Sequence, residues 1–270
     1  MKFQETCCGD WVSLSRNGWD NTMTSFELIG ADGKRIKGDR AEGTDRQILF
    51  ITGFLSKRWG NKSKALAQWC QERRWGFCCY DVRGFGDSEG QFTDYTLSDW
   101  IADARAVLNS IKTGPPVTIV GNSLGSWIGW LVAQEFTIVE ELILIAPAFN
   151  MMGERAKTIS RERLHDWHTA GWMPWDEDPS HRDWPLSWKW VEESEQYWTK
   201  TFDVVRQVKT TILHGQDDRV IAPDGSRRFA NELARRYPDF RLDVNLIPGD
   251  HRLSGPEHLE LFRRLVMKQE

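Results

Sequence analysis

Short apolar runs alternate along the chain with segments whose apolar residues recur at helical spacing. The runs that predict strands are 47–51, 77–80, 117–120, 142–145, 211–214 and 242–247. Of the helical segments between them, one carries Leu66 and Trp69 on a single face and another carries Trp100. Strands buried on both faces of a parallel sheet are nearly continuously apolar. The pattern therefore predicts an α/β fold with a mostly parallel central sheet flanked by helices.

The alternation of strands and helices is interrupted after Pro147. Residues 150–203 are rich in tryptophan, proline and charge, and they contain no convincing strand. The alternation then resumes with the run that begins at Thr211. We therefore predict a single domain whose core comprises residues 1–149 and 204–270. Residues 150–203 are predicted to form a helical cap inserted after a central strand.

The run 117–120 leads into the motif Gly-Asn-Ser123-Leu-Gly, and a segment with helical spacing follows. A serine at the centre of Gly-x-Ser-x-Gly, between a strand and a helix, predicts a nucleophile elbow that projects the hydroxyl above the sheet. The flanking glycines permit the close approach of strand and helix. The helix N-terminus offers backbone N–H groups and positive potential to a developing oxyanion. Ser123 is therefore the candidate nucleophile.

A serine nucleophile needs a base within hydrogen-bond reach, and the base needs a carboxylate to orient it. In folds with this elbow, the serine is followed first by Asp or Glu and then by His. Of the six histidines, only His251 and His258 come late enough in the chain. His251 lies in a loop just past the last predicted strand, where a base can reach the sheet edge, and it is the candidate base. His258 is expected in the last helix, exposed to solvent.

The acid is expected in the loop that follows the strand 211–214. Two candidates are adjacent there, Asp217 and Asp218. Neighbouring side chains in a loop point in different directions, so only one of the two is expected to reach the imidazole.

Two backbone N–H groups would form the oxyanion hole. One belongs to Leu124, the residue after the nucleophile, and the other is expected from the loop after the strand 47–51. That loop begins Thr52-Gly53-Phe54, so the N–H of Phe54 is the natural second donor, and Gly53 permits the necessary turn. The alternative is that these residues form an ordinary tight exit from the strand.

Taken together, the motifs stand in the order and spacing of the α/β-hydrolase superfamily. They are Thr-Gly-Phe54, Asp81-x-Arg-Gly-x-Gly-x-Ser, Gly-Asn-Ser123-Leu-Gly, His-Gly-x-x-Asp218 and Asp-His251-Arg. The chain resembles this superfamily outside its first 25 residues and the cap. Within this superfamily, the elbow and the loop around His251 resemble those of small hydrolases related to palmitoyl-protein thioesterases. The resemblance implies a triad of Ser123, Asp218 and His251, with Asp217 as a turn residue that caps its own backbone.

The resemblance implies a serine hydrolase that cleaves carboxylic esters or acyl thioesters through an acyl-enzyme, as a carboxylesterase or thioesterase does. No metal or organic cofactor is required for that chemistry. Two alternatives remain open: a C–C bond hydrolase or lactonase on the same scaffold, and a ligand-binding or regulatory protein without turnover. Epoxide and haloalkane hydrolases are disfavoured because they use a carboxylate where this chain has Ser123.

Composition narrows the partners and the compartment. The net charge of −4 provides no basic face for nucleic acid, and no apolar run is long enough to cross a bilayer. The expected partner is a small acyl substrate or an acylated protein. The first residues lack the apolar core of a signal peptide. The five cysteines match neither a disulfide framework nor a Cys-x-x-Cys metal site, so a reducing, cytoplasmic compartment is expected.

Many of the 15 tryptophans fall within the predicted cap. An aromatic-lined lid over Ser123 would suit an acyl chain or an aromatic group. The candidate lining residues are Trp167, Trp172, Trp175 and Trp188. The alternative is that these rings anchor a small cap that lacks a large core of its own.

Two pairs of polar residues have a functional and a structural interpretation. Lys57 and Arg58 follow the oxyanion loop and could meet an acidic substrate, but a solvated surface pair is the favoured interpretation. His165 and His168 lie at helical spacing. Because no third ligand is evident nearby, they are not expected to bind a metal.

Overall fold

The computed structural model describes residues 23–111, 114–174 and 184–268. Its strands are β1 (Thr24–Ile29), β2 (Arg35–Ala41), β3 (Gln47–Ile51), β4 (Gly76–Tyr80), β5 (Val117–Asn122), β6 (Val139–Ile145), β7 (Trp172–Met173), β8 (Leu186–Ser187), β9 (Lys209–Gly215) and β10 (Leu242–Ile247). Its α-helices are α1 (Asn61–Arg73), α2 (Leu97–Ile111), α3 (Leu124–Ala133), α4 (Met151–Thr158), α5 (Arg161–Ala170), α6 (Lys189–Lys200), α7 (Asp224–Arg236) and α8 (Pro256–Met267). Every strand that the apolar runs predict is present.

Within the described residues, eight strands form one sheet in the order β1-β2-β4-β3-β5-β6-β9-β10. Neighbouring strands from β4 to β10 run parallel, whereas β1 and β2 form an antiparallel edge. The predicted α/β class with a mostly parallel sheet is confirmed. Because the chain passes from β3 to β4 on one side and then to β5 on the other, the strand order reverses at β3. Ligands of such sheets bind at the carboxyl ends of the strands beside this reversal.

Both faces of the sheet are covered, as the continuous apolar strands predict. Leu49 and Ile51 of β3 belong to a core cluster that also contains residues of α2, α3 and α7. Ile48 and Phe50, which point to the other face, belong to a second cluster with residues of α1 and α8. All five residues of β3 are buried, so neither face of this strand is exposed to water. The carboxyl end of β3 is thus held rigidly from both sides.

Between β6 and β9 the chain forms α4, α5, the antiparallel pair β7–β8 and α6. The sequence pattern predicts no strand here, and strands of two residues are too short to leave a periodic pattern. The ring of Trp190 in α6 lies 4.6 Å from the ring of Trp100 in α2, centroid to centroid. This aromatic contact attaches the inserted helices to the sheet domain. In the described part of the chain, no helix combines the length and apolarity needed to cross a membrane.

Candidate active site

The elbow lies between β5 and α3, as the Gly-x-Ser-x-Gly motif predicts. Ser123 has φ 52° and ψ −118°, a backbone conformation that costs a non-glycine residue about 1–3 kcal/mol. The hydroxyl of Ser126 donates to the carbonyl of Gly121 at 2.8 Å and so ties the first turn of α3 to the end of β5. A Cβ at Gly125 would lie 2.2 Å from the carbonyl oxygen of Ile51. The glycine therefore allows α3 to touch the end of β3.

Gly125→Ala is expected to lower the free energy of unfolding by about 1–3 kcal/mol, because the new methyl group overlaps the backbone of β3. Urea denaturation measures this loss. The matched control is Gly225→Ala in α7, where a Cβ meets no atom within 4 Å. Because alanine is the better helix former, the control is expected to be neutral or slightly stabilising. Equal effects of the two substitutions would contradict the close approach.

The candidate base, His251, follows β10 and lies between the other two predicted triad residues. Its Nε2 is 3.1 Å from the Oγ of Ser123, and its Nδ1 is 2.6 Å from Oδ2 of Asp218. A carboxylate only accepts hydrogen bonds, so Nδ1 carries the proton that is donated to Asp218. Nε2 is then left to accept the proton of the Ser123 hydroxyl. The structure thus brings the three side chains together in the order that serine hydrolysis requires.

Asp218, the candidate acid, is buried and surrounded by donors. Its Oδ1 accepts the backbone N–H groups of Val220 and Ile221, each at 2.8 Å. Burial alone would raise the pKa of this carboxyl, but hydrogen bonds from His214, His251 and Ile221 hold it well below its ordinary value. Asp218 is therefore a carboxylate throughout the physiological pH range and fixes the tautomer of His251.

The two rejected candidates support the loop that carries the base. Asp217 was predicted to cap its own backbone, but it instead accepts the N–H of Gly249 at 3.3 Å through Oδ2. His258 was expected to be exposed, yet it is half-buried and its Nε2 lies 2.9 Å from the carbonyl oxygen of Pro248. Asp217 does lie in a turn and His258 does lie in the last helix, as predicted. The predicted capping and the predicted exposure are wrong for the same reason: the loop after β10 folds back over α8 and the loop after β9. Sequence spacing does not reveal that contact.

A lysine outside the predicted site also holds this loop. The Nζ of Lys62, in the first turn of α1, donates to the carbonyl oxygen of Arg252 and lies 3.3 Å from the Oγ of Ser254. Burial lowers the pKa of Lys62 from its ordinary 10.5 to about 8, although the nearby charge of Asp250 opposes the shift. The amine thereby links α1 to the residue next to His251.

Lys62→Met is expected to change how stability depends on pH. Between about pH 8 and 10.5 the unfolded chain binds a proton at Lys62 that the folded chain has released. The free energy of unfolding of the wild type therefore gains from this group as the pH rises through that interval. Lys62→Met lacks this gain. Its free energy of unfolding relative to that of the wild type should therefore fall as the pH rises from about 8 to 10.5. Denaturation across the interval tests this, with the exposed Lys64→Met as the control; identical pH dependence in both variants would contradict it.

The predicted oxyanion donors lie on either side of Ser123. Leu124 is the first residue of α3, and Phe54 lies in the loop after β3. A Cβ on Gly53 would be 3.2 Å from the Cβ of Ser123, so this loop packs directly against the nucleophile. The ring of Phe54 contacts Trp190 of α6, with 5.5 Å between the ring centroids. Aromatic packing thus fixes the position of the loop.

Arg58, a few residues further on, is not the solvated residue that the sequence suggested. Its side chain is 9% exposed, and its guanidinium binds Asp39 at 2.6 Å, Asp87 at 2.8 Å and Asp81. Its backbone N–H also donates to Oδ1 of Asp81 at 2.6 Å. Only Lys57 is exposed as expected. The network anchors the end of the loop after β3 to β2 and to the loop after β4.

A small pocket lies beside the nucleophile, since Gly53 and Leu124 both line it. Its remaining wall is largely apolar and includes Val82, Phe85, Phe92, Trp100 and Ile128. Trp100 is held in place by its indole N–H, which donates to the carbonyl of Arg83 at 3.0 Å. Arg83 in turn is buried and binds Asp103 at 2.6 Å. The wall of the pocket is thus built on α2 and the loop after β4.

The four tryptophans predicted to line the pocket lie elsewhere or outside the described residues. Trp167 is 1% exposed and its ring packs against that of Trp188, 5.5 Å away. Trp172 is 58% exposed and borders a separate, open cleft. Trp175 is outside the described residues. From the inserted segment, Trp184 contacts the pocket wall, 5.2 Å from Phe92 between ring centroids.

Metal-binding side chains do not cluster in the described part of the chain. No three His, Cys, Asp or Glu side chains there are arranged to hold an ion. His168 lies against Trp188, with 4.8 Å between the ring centroids.

The sequence model of the alpha/beta hydrolase family matches residues 48–264. Among curated proteins, the palmitoyl-protein thioesterase ABHD10 of mouse mitochondria is 25% identical, over 93% of this chain and 83% of its own. The bovine form is 23% identical, over 93% of this chain and 80% of its own. Both are named as mitochondrial proteins, and the compartment of this chain stays a prediction.

Solved structures show the same fold. The mouse alpha/beta hydrolase domain-containing protein 10 superimposes with a TM-score of 0.80 at 22% identity, covering 91% of this chain and 97% of its own. Est1E of Butyrivibrio proteoclasticus, solved with bound ferulic acid, gives a TM-score of 0.72 at 22% identity, covering 90% of this chain and 96% of its own.

Proposed function

This chain belongs to the alpha/beta hydrolase family, and we propose that it is a serine hydrolase of carboxylic esters or acyl thioesters. The proposal is carried by one observation: the continuous hydrogen-bonded series from Asp218 through His251 to Ser123, which ends on a strained elbow. The two relatives named as palmitoyl-protein thioesterases support hydrolysis of such bonds.

In the first half-reaction, the Oγ of Ser123 attacks the acyl carbonyl carbon while Nε2 of His251 takes the hydroxyl proton. Asp218 stabilises the imidazolium that forms, because its carboxylate accepts the Nδ1 proton at 2.6 Å. The carbonyl oxygen becomes an oxyanion held by the N–H groups of Leu124 and Phe54. Collapse of the intermediate expels the alcohol or thiol, which receives the proton from Nε2, and leaves the acyl group on Ser123.

In the second half-reaction, water replaces the leaving group. Nε2 of His251 takes a proton from the water as its oxygen attacks the acyl carbon, and the same two N–H groups hold the new oxyanion. Collapse breaks the bond between the acyl carbon and Oγ, and Ser123 recovers its proton from His251. The products are a carboxylic acid and the free enzyme.

The pocket beside Ser123 supports an apolar acyl group. Val82, Trp100 and Ile128 present carbon surface to it, so a hydrocarbon chain or an aromatic ring would be removed from water there. We therefore propose that the acyl group of the substrate is apolar and lies against this wall.

A matched series of acyl thioesters and oxygen esters with short, medium and long chains tests the proposal. We expect turnover in at least one series, with kcat/KM highest for an acyl group that fills the pocket. Trp100→Ala should shift that optimum to longer chains, because it deepens the pocket. Folded protein that turns over neither series would contradict the proposed function.

A further inference from the structure

His214 is a buried histidine that the mechanism above does not use. It lies in β9, is 0% exposed, and precedes Asp218 by four residues. Its Nε2 is 3.0 Å from Oδ2 of Asp218 and 3.1 Å from the carbonyl oxygen of Ile221. Its Nδ1 is 2.8 Å from the Oγ of Ser226 in α7. The ring therefore connects the candidate acid to both the sheet and a helix.

The proton on Nε2 of His214 can be assigned from its neighbours. The carboxylate of Asp218 and the carbonyl oxygen of Ile221 both only accept hydrogen bonds, so Nε2 must be the donor. The hydroxyl of Ser226 can either donate to Nδ1 or accept from it. Nε2 thus donates to Asp218 whichever way the Ser226 hydroxyl is oriented.

The donor from His214 completes the environment of the Asp218 carboxylate. Two carboxylate oxygens have room for about four donors. Oδ1 receives two backbone N–H groups of its own loop, whereas Oδ2 receives His214 at 3.0 Å and His251 at 2.6 Å. Only the donor from His214 comes from the sheet. It therefore limits rotation of the carboxylate and directs the remaining acceptor site of Oδ2 at His251.

We propose that His214 is a positioning residue for the reaction, acting through Asp218 to hold the Nδ1–H of His251 in line. The inference rests on the proposed function, in which Asp218 orients the base. A purely structural role would instead require only that His214 fill the space between β9 and α7 and bind Ser226. These two roles use different nitrogen atoms of the same ring.

Two substitutions separate those roles. In His214→Gln the side-chain amide can take the place of Nε2 and donate to Asp218. In His214→Asn the shorter amide can take only the place of Nδ1, beside Ser226. We expect kcat of His214→Asn for an ester substrate to fall by about tenfold to a hundredfold with KM nearly unchanged, since small misplacements of catalytic groups have effects of this size. We expect His214→Gln to recover most of the loss.

A second readout does not depend on turnover. The proton between Nδ1 of His251 and Asp218 should give a far-downfield ¹H resonance in the wild type and in His214→Gln. It should be shifted or lost in His214→Asn. Equal activity of the two variants, or equal loss of activity with an unchanged resonance, would overturn the proposal. If the wild type shows the resonance but neither turns over a substrate nor is acylated, the proposed function is wrong. The resonances of the two variants then still test the contact between His214 and Asp218. Absence of the resonance from the wild type would overturn the positioning role itself.

Discussion

Ser123→Ala is expected to lower kcat for any turned-over ester or thioester by at least about 10⁴-fold, because removal of a triad nucleophile has effects of this order. The substitution removes one oxygen from a site whose base, acid and oxyanion donors all stay in place. Any residual rate would come from water activated by His251 within the oxyanion hole. KM is expected to change little, since the apolar pocket is intact.

The matched control is Ser110→Ala in α2, where the hydroxyl donates to the carbonyl of Val107 at 2.7 Å. This serine lies in the last turn of α2 and bonds only within its own helix in the described structure, so its variant should retain the wild-type rate. Thermal unfolding of both proteins checks that neither has lost its structure. Wild-type turnover by folded Ser123→Ala would refute Ser123 as the nucleophile.

Arg58→Met is expected to lower the free energy of unfolding by about 3–5 kcal/mol, the range for removing one partner of a buried ion pair. Methionine preserves much of the apolar stem but leaves Asp39 and Asp81 buried without their cation. Asp81 has a side chain only 1% exposed, so water cannot replace the lost partner without opening the structure. Because Arg58 ends the oxyanion loop, kcat is expected to fall as well.

Arg105→Met provides the comparison for this effect. Arg105 makes a bidentate pair with Glu135, but the two side chains are 40% and 42% exposed. Surface ion pairs contribute about 0–1 kcal/mol, so its loss should be small. Urea denaturation of both variants measures the difference. Comparable losses would contradict the inference that burial makes the Arg58 network important.

Much of the core and of the candidate triad could be predicted from the sequence because both leave local signals. Buried parallel strands are continuous apolar runs, and the elbow around Ser123 is a short motif between one such run and a helix. The order of triad partners then restricted the base to His251 or His258. The choice of Asp218 over Asp217 depended on the family resemblance, and the structure places Asp218 against the imidazole.

Contacts between distant segments left no such signal. Arg58 meets three carboxylates from two distant segments, β2 and the loop after β4. Because a charged residue in a loop is usually solvated, the sequence does not predict its burial. The pocket wall likewise depends on which aromatic rings the fold brings together. Trp100 of α2 is part of that wall, although sequence periodicity identifies it only as a core residue. The contact of His214 with Asp218 has one local sequence signal, since both residues belong to the motif His-Gly-x-x-Asp218.

Covalent labelling tests directly whether Ser123 is an activated nucleophile. Wild-type protein and Ser123→Ala are treated with a fluorophosphonate, and the intact masses and the modified peptide are determined. We expect one added phosphonyl group on the wild type, located on Ser123, and none on the variant. Folded wild-type protein that stays unlabelled, or equal labelling of both proteins, would contradict it.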